Sequence, residues 1–262
     1  MPEFLNISID LNCDMGESFG AYTIGNDSEL IRYASSVNIA CGFHAGDPRV
    51  MRRTVELALQ HGVAIGAHPG LPDKEGFGRR EMAVSAEEVY DMTLYQIAAL
   101  DGITRAAGGA MIHVKPHGAL YNMLAVSEAL SSACAKAVYS FNPHLTFVGL
   151  ANSTMTRVAA EHGLRIAEEG FADRTYLANG LLTPRSQPNA LLHTREEAVR
   201  QAVRIALRRE AQTHDSETVA VKAHTICLHG DNPDAVPFAE AVVRALQEAG
   251  VTVRSFLPKK TA

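Results

Sequence analysis

Strand–helix alternation is the feature of this sequence that most limits its fold. Short apolar runs of strand length occur at 7–13, 36–42, 63–67, 111–115, 145–150, 164–168 and 225–229, with an eighth candidate at 251–256 that need not join the same ring. Amphipathic runs with helical periodicity separate them, at 48–61, 85–107, 127–140, 153–162, 194–211 and 233–249. Such alternation is typical of a parallel sheet with crossover helices, and this many units favours a closed barrel. We therefore predict an α/β fold, a (β/α) barrel formed by one domain over residues 1–262.

Two Gly- and Pro-rich segments interrupt the alternation. One is a long loop at 68–84 after the third predicted strand, and the other is an arm at 170–193 after the sixth. Connections of this length inside a compact domain are usually functional or disordered. Both follow the C-terminal ends of strands, where barrel enzymes carry their active sites.

Charge and composition exclude several classes of partner. A net charge of −5 and a pI near 6.1 argue against nucleic-acid binding, which needs a basic surface. The sequence has no apolar run of about 18 residues and no secretory signal pattern at its N-terminus, so we expect no membrane span and no export. The four cysteines show no CxxC spacing, which fits free thiols in a reducing cytoplasm. GxxxxGK[ST], GxGxxG and GxSxG motifs are missing, so the usual nucleotide loops and the serine-hydrolase elbow are not predicted.

Polar residues repeat on one side of the predicted strands. In the opening stretch IDLNCDMGESFG, apolar residues alternate with Asp10, Asn12 and Asp14. The same parity at the ends of later strands carries Asn38, His44, His68, His113, Lys115, His117, Glu169, Thr225, His229 and Asp231. In a barrel the apolar parity must meet the helices, so the polar parity faces the interior. A single strand-end His or Asp is more often a satisfied loop contact, but six strands with one pattern predict an active site.

Individual motifs leave their roles open. In HVKPHG, burying the ammonium of Lys115 between two imidazoles requires an anion, which could be a substrate carboxylate or phosphate, or Asp14 or Glu169. In CGFHAGD the acid after the strand-end histidine, Asp47, could orient the imidazole or cap the next helix, and CLHGDNP repeats the arrangement. Oxygen and nitrogen ligands for a divalent metal could come from Asp14, His44, His68, His117 and His229. No HxxxH or HExxH spacing fixes two of these on one helix, so spacing does not support a metal.

Nine motifs in order resemble one known family. They are IDLNCDMGESFGAY, VNIACGFHAGD, VAIGAHPGLPD, GFGRREM, LYQIAAL, HVKPHGALYN, EEGFADRTY, LLTPRSQ and TICLHGDNP. Together they resemble the LamB/YcsF family over about residues 9 to 250, although no single motif is specific. One departure follows RSQ, where the family usually reads Pro-Gly-Ala and this chain has Pro188, Asn189 and Ala190. Because Asn tolerates the left-handed conformation best after Gly, we expect the turn to be kept.

The resemblance implies a fold and a reaction. It implies a seven-stranded barrel of the glycoside hydrolase/deacetylase type. It also implies an enzyme, a hydrolase of a cyclic amide: the A subunit of an ATP-dependent 5-oxoprolinase, which with subunits B and C converts 5-oxo-L-proline, ATP and water into L-glutamate, ADP and phosphate. Because the familiar nucleotide loops are missing, we assign ATP handling mainly to the partner subunits.

For that reaction, we select candidate residues from the polar side of the predicted strands and assign their roles from the chemistry of their side chains. Asp14 is the first choice of base, and His44 and His117 are the alternatives. Lys115 would hold the substrate carboxylate or a developing oxyanion. The other candidates would bind or orient the substrate, the water or the base, or balance charge: Asn12, His68, Glu169, Arg174, Arg185, His229 and Asp231. Two alternatives stay open, a stand-alone metal-dependent amide or carbohydrate hydrolase or deacetylase, and a non-catalytic scaffold subunit.

Overall fold

Seven parallel strands close into a barrel. In the computed structural model, which describes residues 7–184, 187–192, 194–228 and 234–256, the strands are β1 (Ser8–Met15), β2 (Ser36–Ala40), β3 (Ala64–His68), β4 (Met111–Val114), β5 (Thr146–Leu150), β6 (Arg165–Phe171), β7 (Glu210–Gln212), β8 (Thr218–Ala220), β9 (Thr225–Leu228) and β10 (Thr252–Val253). The ring runs β1-β2-β3-β4-β5-β6-β9 and returns to β1, all in parallel. The prediction of a seven-stranded (β/α) barrel is confirmed.

The eighth candidate strand lies outside the ring. β10 pairs only with the first residues of β1, through Ser8 and Ile9, whereas β9 pairs with β1 from Asp10 to Cys13. β10 therefore extends the sheet below the ring instead of widening it. β7 and β8 form a separate antiparallel hairpin, which was not predicted because three-residue strands carry too little periodicity.

Helices connect the strands. They are α1 (Asp27–Leu30), α2 (Pro48–His61), α3 (Ala86–Ala106), α4 (Gly118–Val126), α5 (Glu128–Phe141), α6 (Thr154–Glu161), α7 (Arg195–Arg208) and α8 (Ala235–Glu248). All six predicted helices are present, with ends within three residues of the prediction, whereas α1 and α4 were not predicted. The apolar parity of the strands packs beneath these helices, and Leu11, Ile39 and Phe147 are fully buried there.

Local residues fix where the helices begin and end. The Asp47 carboxylate accepts from the backbone N–H groups of Arg49 and Val50, both at 2.9 Å, so its role is the helix cap and not the orientation of an imidazole. α7 was predicted to reach residue 211 but ends at Arg208. The next residue, Arg209, adopts a left-handed conformation with φ 58° and turns the chain into β7.

The loop and the arm lie at the C-terminal ends of β3 and β6. In the loop after β3, the Arg80 Nε lies 3.0 Å from both carboxylate oxygens of Asp73. The arm after β6 turns at Asn189, whose φ of 59° is left-handed, so the expectation from the Pro-Asn-Ala departure is confirmed. Within the described residues, no helix is both long and apolar enough to cross a lipid bilayer.

Candidate active site

Polar side chains fill the interior of the barrel, as the parity of the strands predicts. The Asn12 amide donates to Glu169 Oε1 at 2.9 Å and to Thr225 Oγ1 at 2.7 Å. The Asn38 amide donates to Asn12 Oδ1 at 2.7 Å and to Asp14 Oδ1 at 2.8 Å. These side chains come from β1, β2, β6 and β9, so the closure of the ring is what joins them into one network.

Lys115 lies at the centre of this network. Its Nζ is 2.8 Å from Glu169 Oε1, 2.9 Å from Asp14 Oδ1, 3.0 Å from Asn12 Oδ1 and 3.2 Å from Cys227 Sγ. Burial alone would lower the pKa of Lys115, but the charges of Asp14 and Glu169 outweigh it and hold that pKa well above its usual value. Both ion pairs considered from the sequence are present. Three N–H bonds already face four acceptors, so a substrate anion would have to displace one of them to bind the ammonium.

Tyr121 completes the contacts of Glu169. Its hydroxyl donates to Glu169 Oε2 at 2.7 Å, and Glu169 is completely buried. Burial and the neighbouring carboxylate raise the pKa of Tyr121 well above its usual value, so the hydroxyl keeps its proton. Sequence reasoning missed Tyr121 because it lies on α4, a helix without a clear polar face.

Three histidines and one glutamate meet beside this network. His44 follows β2, His68 ends β3, and His117 precedes α4. The rings of His44 and His117 stack with centroids 3.7 Å apart, and His68 meets both edge-on. One possible ligand atom from each of these histidines and from Glu17 lies within 4.8 Å of the other three. Glu17 was missed because it follows β1, where strand parity no longer applies.

Burial favours the neutral form of two of these imidazoles, those of His44 and His117. It lowers the pKa of His117 to about 3 and that of His44 well below its usual value. Both ring nitrogens of His44 are buried and have no hydrogen-bond partner among the described residues. A β-carbon on Gly70 would stand 2.5 Å from His44 Nδ1, so a glycine is needed there to admit the imidazole.

A cavity of about 470 Å³ opens at this end of the barrel. Five of the predicted residues line it: Asp14, His68, Lys115, His117 and Arg174. His44, predicted to be catalytic, does not line it, since its ring is stacked on His117. Arg79, Glu81 and Asn122 also line the cavity and were missed, because they lie on a loop and on α4 where no strand parity identifies them.

Of the predicted residues at the edge of the site, the structure describes some and leaves others outside the described residues. The guanidinium of Arg174 donates to the carbonyl oxygens of Ala190 at 3.2 Å and Thr183 at 2.6 Å, so it also holds the arm together. His229, Asp231 and Arg185 lie outside the described residues. Asn12 and Glu169 lie behind the cavity wall and contact Lys115.

Comparison with known proteins gives this site a context. The model of the LamB/YcsF family matches residues 9–261. A protein from Bacillus cereus (strain AH187), named as the A subunit of 5-oxoprolinase, is 56% identical over 94% of this chain and 98% of its own length. One of the same name from Geobacillus kaustophilus (strain HTA426) is 56% identical over 95% of this chain and 96% of its own length.

Solved structures agree with the fold. The crystal structure of the lactam utilization protein from Thermus thermophilus is 47% identical, with a TM-score of 0.90 over 95% of this chain and 99% of that one. A putative cellobiose-phosphate cleavage protein from Enterococcus faecalis V583 is 16% identical with a TM-score of 0.58, over 96% of this chain and 98% of that one, and shares the fold alone. The family match spans nearly the whole sequence, and the chain belongs to the LamB/YcsF family.

Proposed function

We propose that this chain is the A subunit of an ATP-dependent 5-oxoprolinase and that its barrel adds water to 5-oxo-L-proline or to an activated form of it. The relatives named as 5-oxoprolinase A subunits and the Thermus lactam utilization protein support the substrate class. The observation that carries the proposal is the contact of Asp14 with Lys115 at the wall of the cavity. A carboxylate paired with an ammonium beside open space is suited to the activation of water.

The chemistry explains why the reaction needs ATP. An unstrained five-membered lactam is a poor electrophile, and its amide nitrogen is a poor leaving group. Phosphorylation of the amide oxygen gives a reactive imidate carbon. When water adds to that carbon, the C–N bond breaks and the nitrogen takes up a proton, which opens the ring and leaves an acyl phosphate. A second water hydrolyses the acyl phosphate to glutamate and phosphate. We assign the phosphorylation to subunits B and C, because the sequence carries none of the familiar nucleotide loops. The four buried free cysteines fit a cytoplasmic setting, where ATP is available.

Asp14 is the proposed base. Its Oδ1 accepts from Lys115 at 2.9 Å and Asn38 at 2.8 Å, and its Oδ2 lies 3.3 Å from His68 Nε2. The two donors at Oδ1 hold the carboxylate in place, while the cavity side can take a proton from water that attacks the lactam carbon. His117, which also lines the cavity, is the alternative base, and His44 is the second alternative.

Positive charge at the cavity suits the anionic substrate. Lys115 acts through its field on the developing oxyanion, because its N–H groups are occupied by Asn12, Asp14 and Glu169. We assign the substrate carboxylate to Arg79, which is exposed and lines the cavity, and to Arg174 on the arm. Of the two roles expected for Lys115, this assignment keeps the developing oxyanion and gives the substrate carboxylate to the two arginines.

Reconstitution with subunits B and C tests the proposal. With 5-oxoproline and ATP, the complete mixture should form glutamate, and omission of this chain should abolish it. Asp14→Asn should lower kcat by about a hundredfold or more, because the base is lost. Glu161→Gln, a matched carboxylate-to-amide change on the exposed surface of α6, should leave kcat unchanged.

Two results would favour the alternatives. Normal turnover by Asp14→Asn together with Lys115→Met would support a scaffold subunit. Hydrolysis of an amide or acetylated sugar by this chain alone, lost on metal removal, would support a stand-alone hydrolase. The relatives' names, which describe a subunit, disfavour the stand-alone hydrolase.

A further inference from the structure

The group formed by Glu17, His44, His68 and His117, hereafter the histidine cluster, has more hydrogen-bond acceptors than donors. All four side chains are buried. His68 Nε2 and His117 Nδ1 are 3.0 Å apart, and His44 Nε2 and Glu17 Oε1 are 3.9 Å apart. What lies between these atoms depends on which ring nitrogens carry protons.

Backbone carbonyls decide the tautomers of two histidines. His68 Nδ1 is 2.7 Å from the carbonyl oxygen of Lys115, and His117 Nε2 is 2.8 Å from that of Phe77. A carbonyl oxygen only accepts, so both of these nitrogens must carry the proton. When both rings are neutral, His68 Nε2 and His117 Nδ1 therefore carry lone pairs and no protons. These two nitrogens face each other at hydrogen-bond distance.

Neighbouring groups add to this excess of acceptors. Asp14 Oδ2 lies 3.3 Å from the same His68 Nε2. His44 is fully buried with neither ring nitrogen hydrogen-bonded among the described residues, so at least one further lone pair is available there. Two lone pairs that face each other at 3.0 Å repel unless a positive charge lies between them.

A metal ion meets this requirement. It binds neutral imidazoles, and its ligands commonly donate their other N–H to a backbone carbonyl, as His68 and His117 do here.

The spacing also fits a metal ion. Tetrahedral ligands at about 2.0–2.1 Å from zinc stand about 3.4 Å from one another. The separations of 3.0 and 3.9 Å in the histidine cluster lie on either side of that value. The other separations are at most 4.8 Å. Because the lone pair of a ring nitrogen lies in the plane of its imidazole, the stacked rings of His44 and His117 would have to tilt toward each other to bind the same ion.

We propose that Glu17, His44, His68 and His117 bind one divalent transition-metal ion, with Zn²⁺ as the best match to three imidazole nitrogens and one carboxylate oxygen. The inference rests on the proposed function only in that the ion would lie beside Asp14, where water is to be activated. The metal site itself can be tested without any measurement of activity.

Metal content and a spectroscopic probe test the site. The full chain, stripped with chelator and dialysed against Zn²⁺, should bind one ion per chain. Co²⁺ loaded in its place should give the visible absorption of a tetrahedral site. Glu17→Gln and His117→Gln should each weaken Zn²⁺ binding by about tenfold or more, because each removes one ligand. Circular dichroism would verify that both variants fold.

A matched control separates the cluster from the rest of the barrel interior. His113 is equally buried, but its Nε2 contacts Asn38 Oδ1 at 2.8 Å and it is not in the cluster, so His113→Gln should keep one ion per chain. His61→Gln, a change on the surface of α2, is the second control should His113→Gln fail to fold.

Three outcomes would overturn the proposal. The first is a wild-type chain that binds no Zn²⁺ after dialysis, and the second is a folded cluster variant that binds Zn²⁺ as tightly as wild type. The third is an NMR titration in which the metal-free protein holds a proton between His68 and His117 at neutral pH and binds no Zn²⁺. Failure of the proposed function looks different, since the chain would then bind Zn²⁺ at the cluster while the reconstituted mixture forms no glutamate.

Discussion

Asp10 carries a buried charge at the end of the barrel interior opposite the cavity. Its carboxylate accepts from the hydroxyls of Ser35 at 2.6 Å and Ser36 at 2.8 Å, and from that of Thr225. Burial raises the pKa of Asp10 to about 6, while the three hydroxyls oppose the shift only in part. The polar parity of the strands thus includes residues that shape the barrel as well as residues that line its cavity.

The raised pKa of Asp10 predicts a pH-dependent stability. Because the folded-state pKa of about 6 exceeds the unfolded value of 3.8, the folded chain binds the proton more tightly. The resulting stabilisation is complete below pH 3.8 and is lost as the pH rises through 6. Asp10→Asn should remove this dependence, so the free energy of unfolding of wild type relative to the variant should fall by about 2 kcal/mol between about pH 4 and pH 7. Urea unfolding across that range measures it, and parallel curves for the two proteins would contradict it.

At the scale of elements, α7 holds the arm over the cavity. The Gln201 amide donates to the carbonyl oxygens of Phe171 at 2.9 Å, Ala172 at 3.2 Å and Arg174 at 2.6 Å. Its Oε1 accepts from the backbone N–H of Gln212 at 2.8 Å. One buried side chain therefore joins the start of the arm to the β7–β8 hairpin.

We predict that Gln201→Leu loosens the arm without opening the barrel. Three buried carbonyls lose their donor, so hydrogen exchange should accelerate in residues 172–183 and at Gln212 while the ring strands stay protected. In the reconstituted complex, KM for the lactam should rise several-fold, because Arg174 lines the cavity. Arg200→Ala, one residue away on the exposed side of α7, serves as the control. Unchanged exchange in the arm would refute the prediction.

Periodicity explains which elements and site residues could be predicted. Strand parity identified Asn12, Asp14, Lys115 and Glu169 because alternation places every second side chain inside the ring. α4 escaped prediction because GALYNMLAV is mostly buried and lacks a polar face, and Tyr121 was missed with it. Glu17 and Arg79 follow no period, so only the folded loops bring them to the cavity. The roles assigned to the site residues stay predictions.

At the scale of the whole molecule, burial protects all four thiols. Cys13, Cys41, Cys134 and Cys227 are free and buried, and burial raises the pKa of Cys41 and Cys134 to about 12. Protonated and inaccessible thiols react slowly with disulfide reagents. They therefore report on the opening of the barrel as a unit.

We expect the native chain to react with less than one equivalent of a chromogenic disulfide reagent over minutes, and the urea-unfolded chain with four. The midpoint of the increase should match that seen by circular dichroism, because Cys13 and Cys227 lie on adjacent strands of the ring. Fast reaction of Cys13 or Cys227 in the native state would contradict a barrel that is closed between β1 and β9.

The way the ring closes also bears on how the chain is made. β1 pairs with β2 on one side and with β9 on the other, and its Asp10 contacts a residue 215 positions further along. On the ribosome, β1 must therefore wait with one unpaired edge until β9 has emerged. Exposed strand edges invite association with other chains, so the nascent protein is most vulnerable to aggregation just before its last ring strand is synthesised.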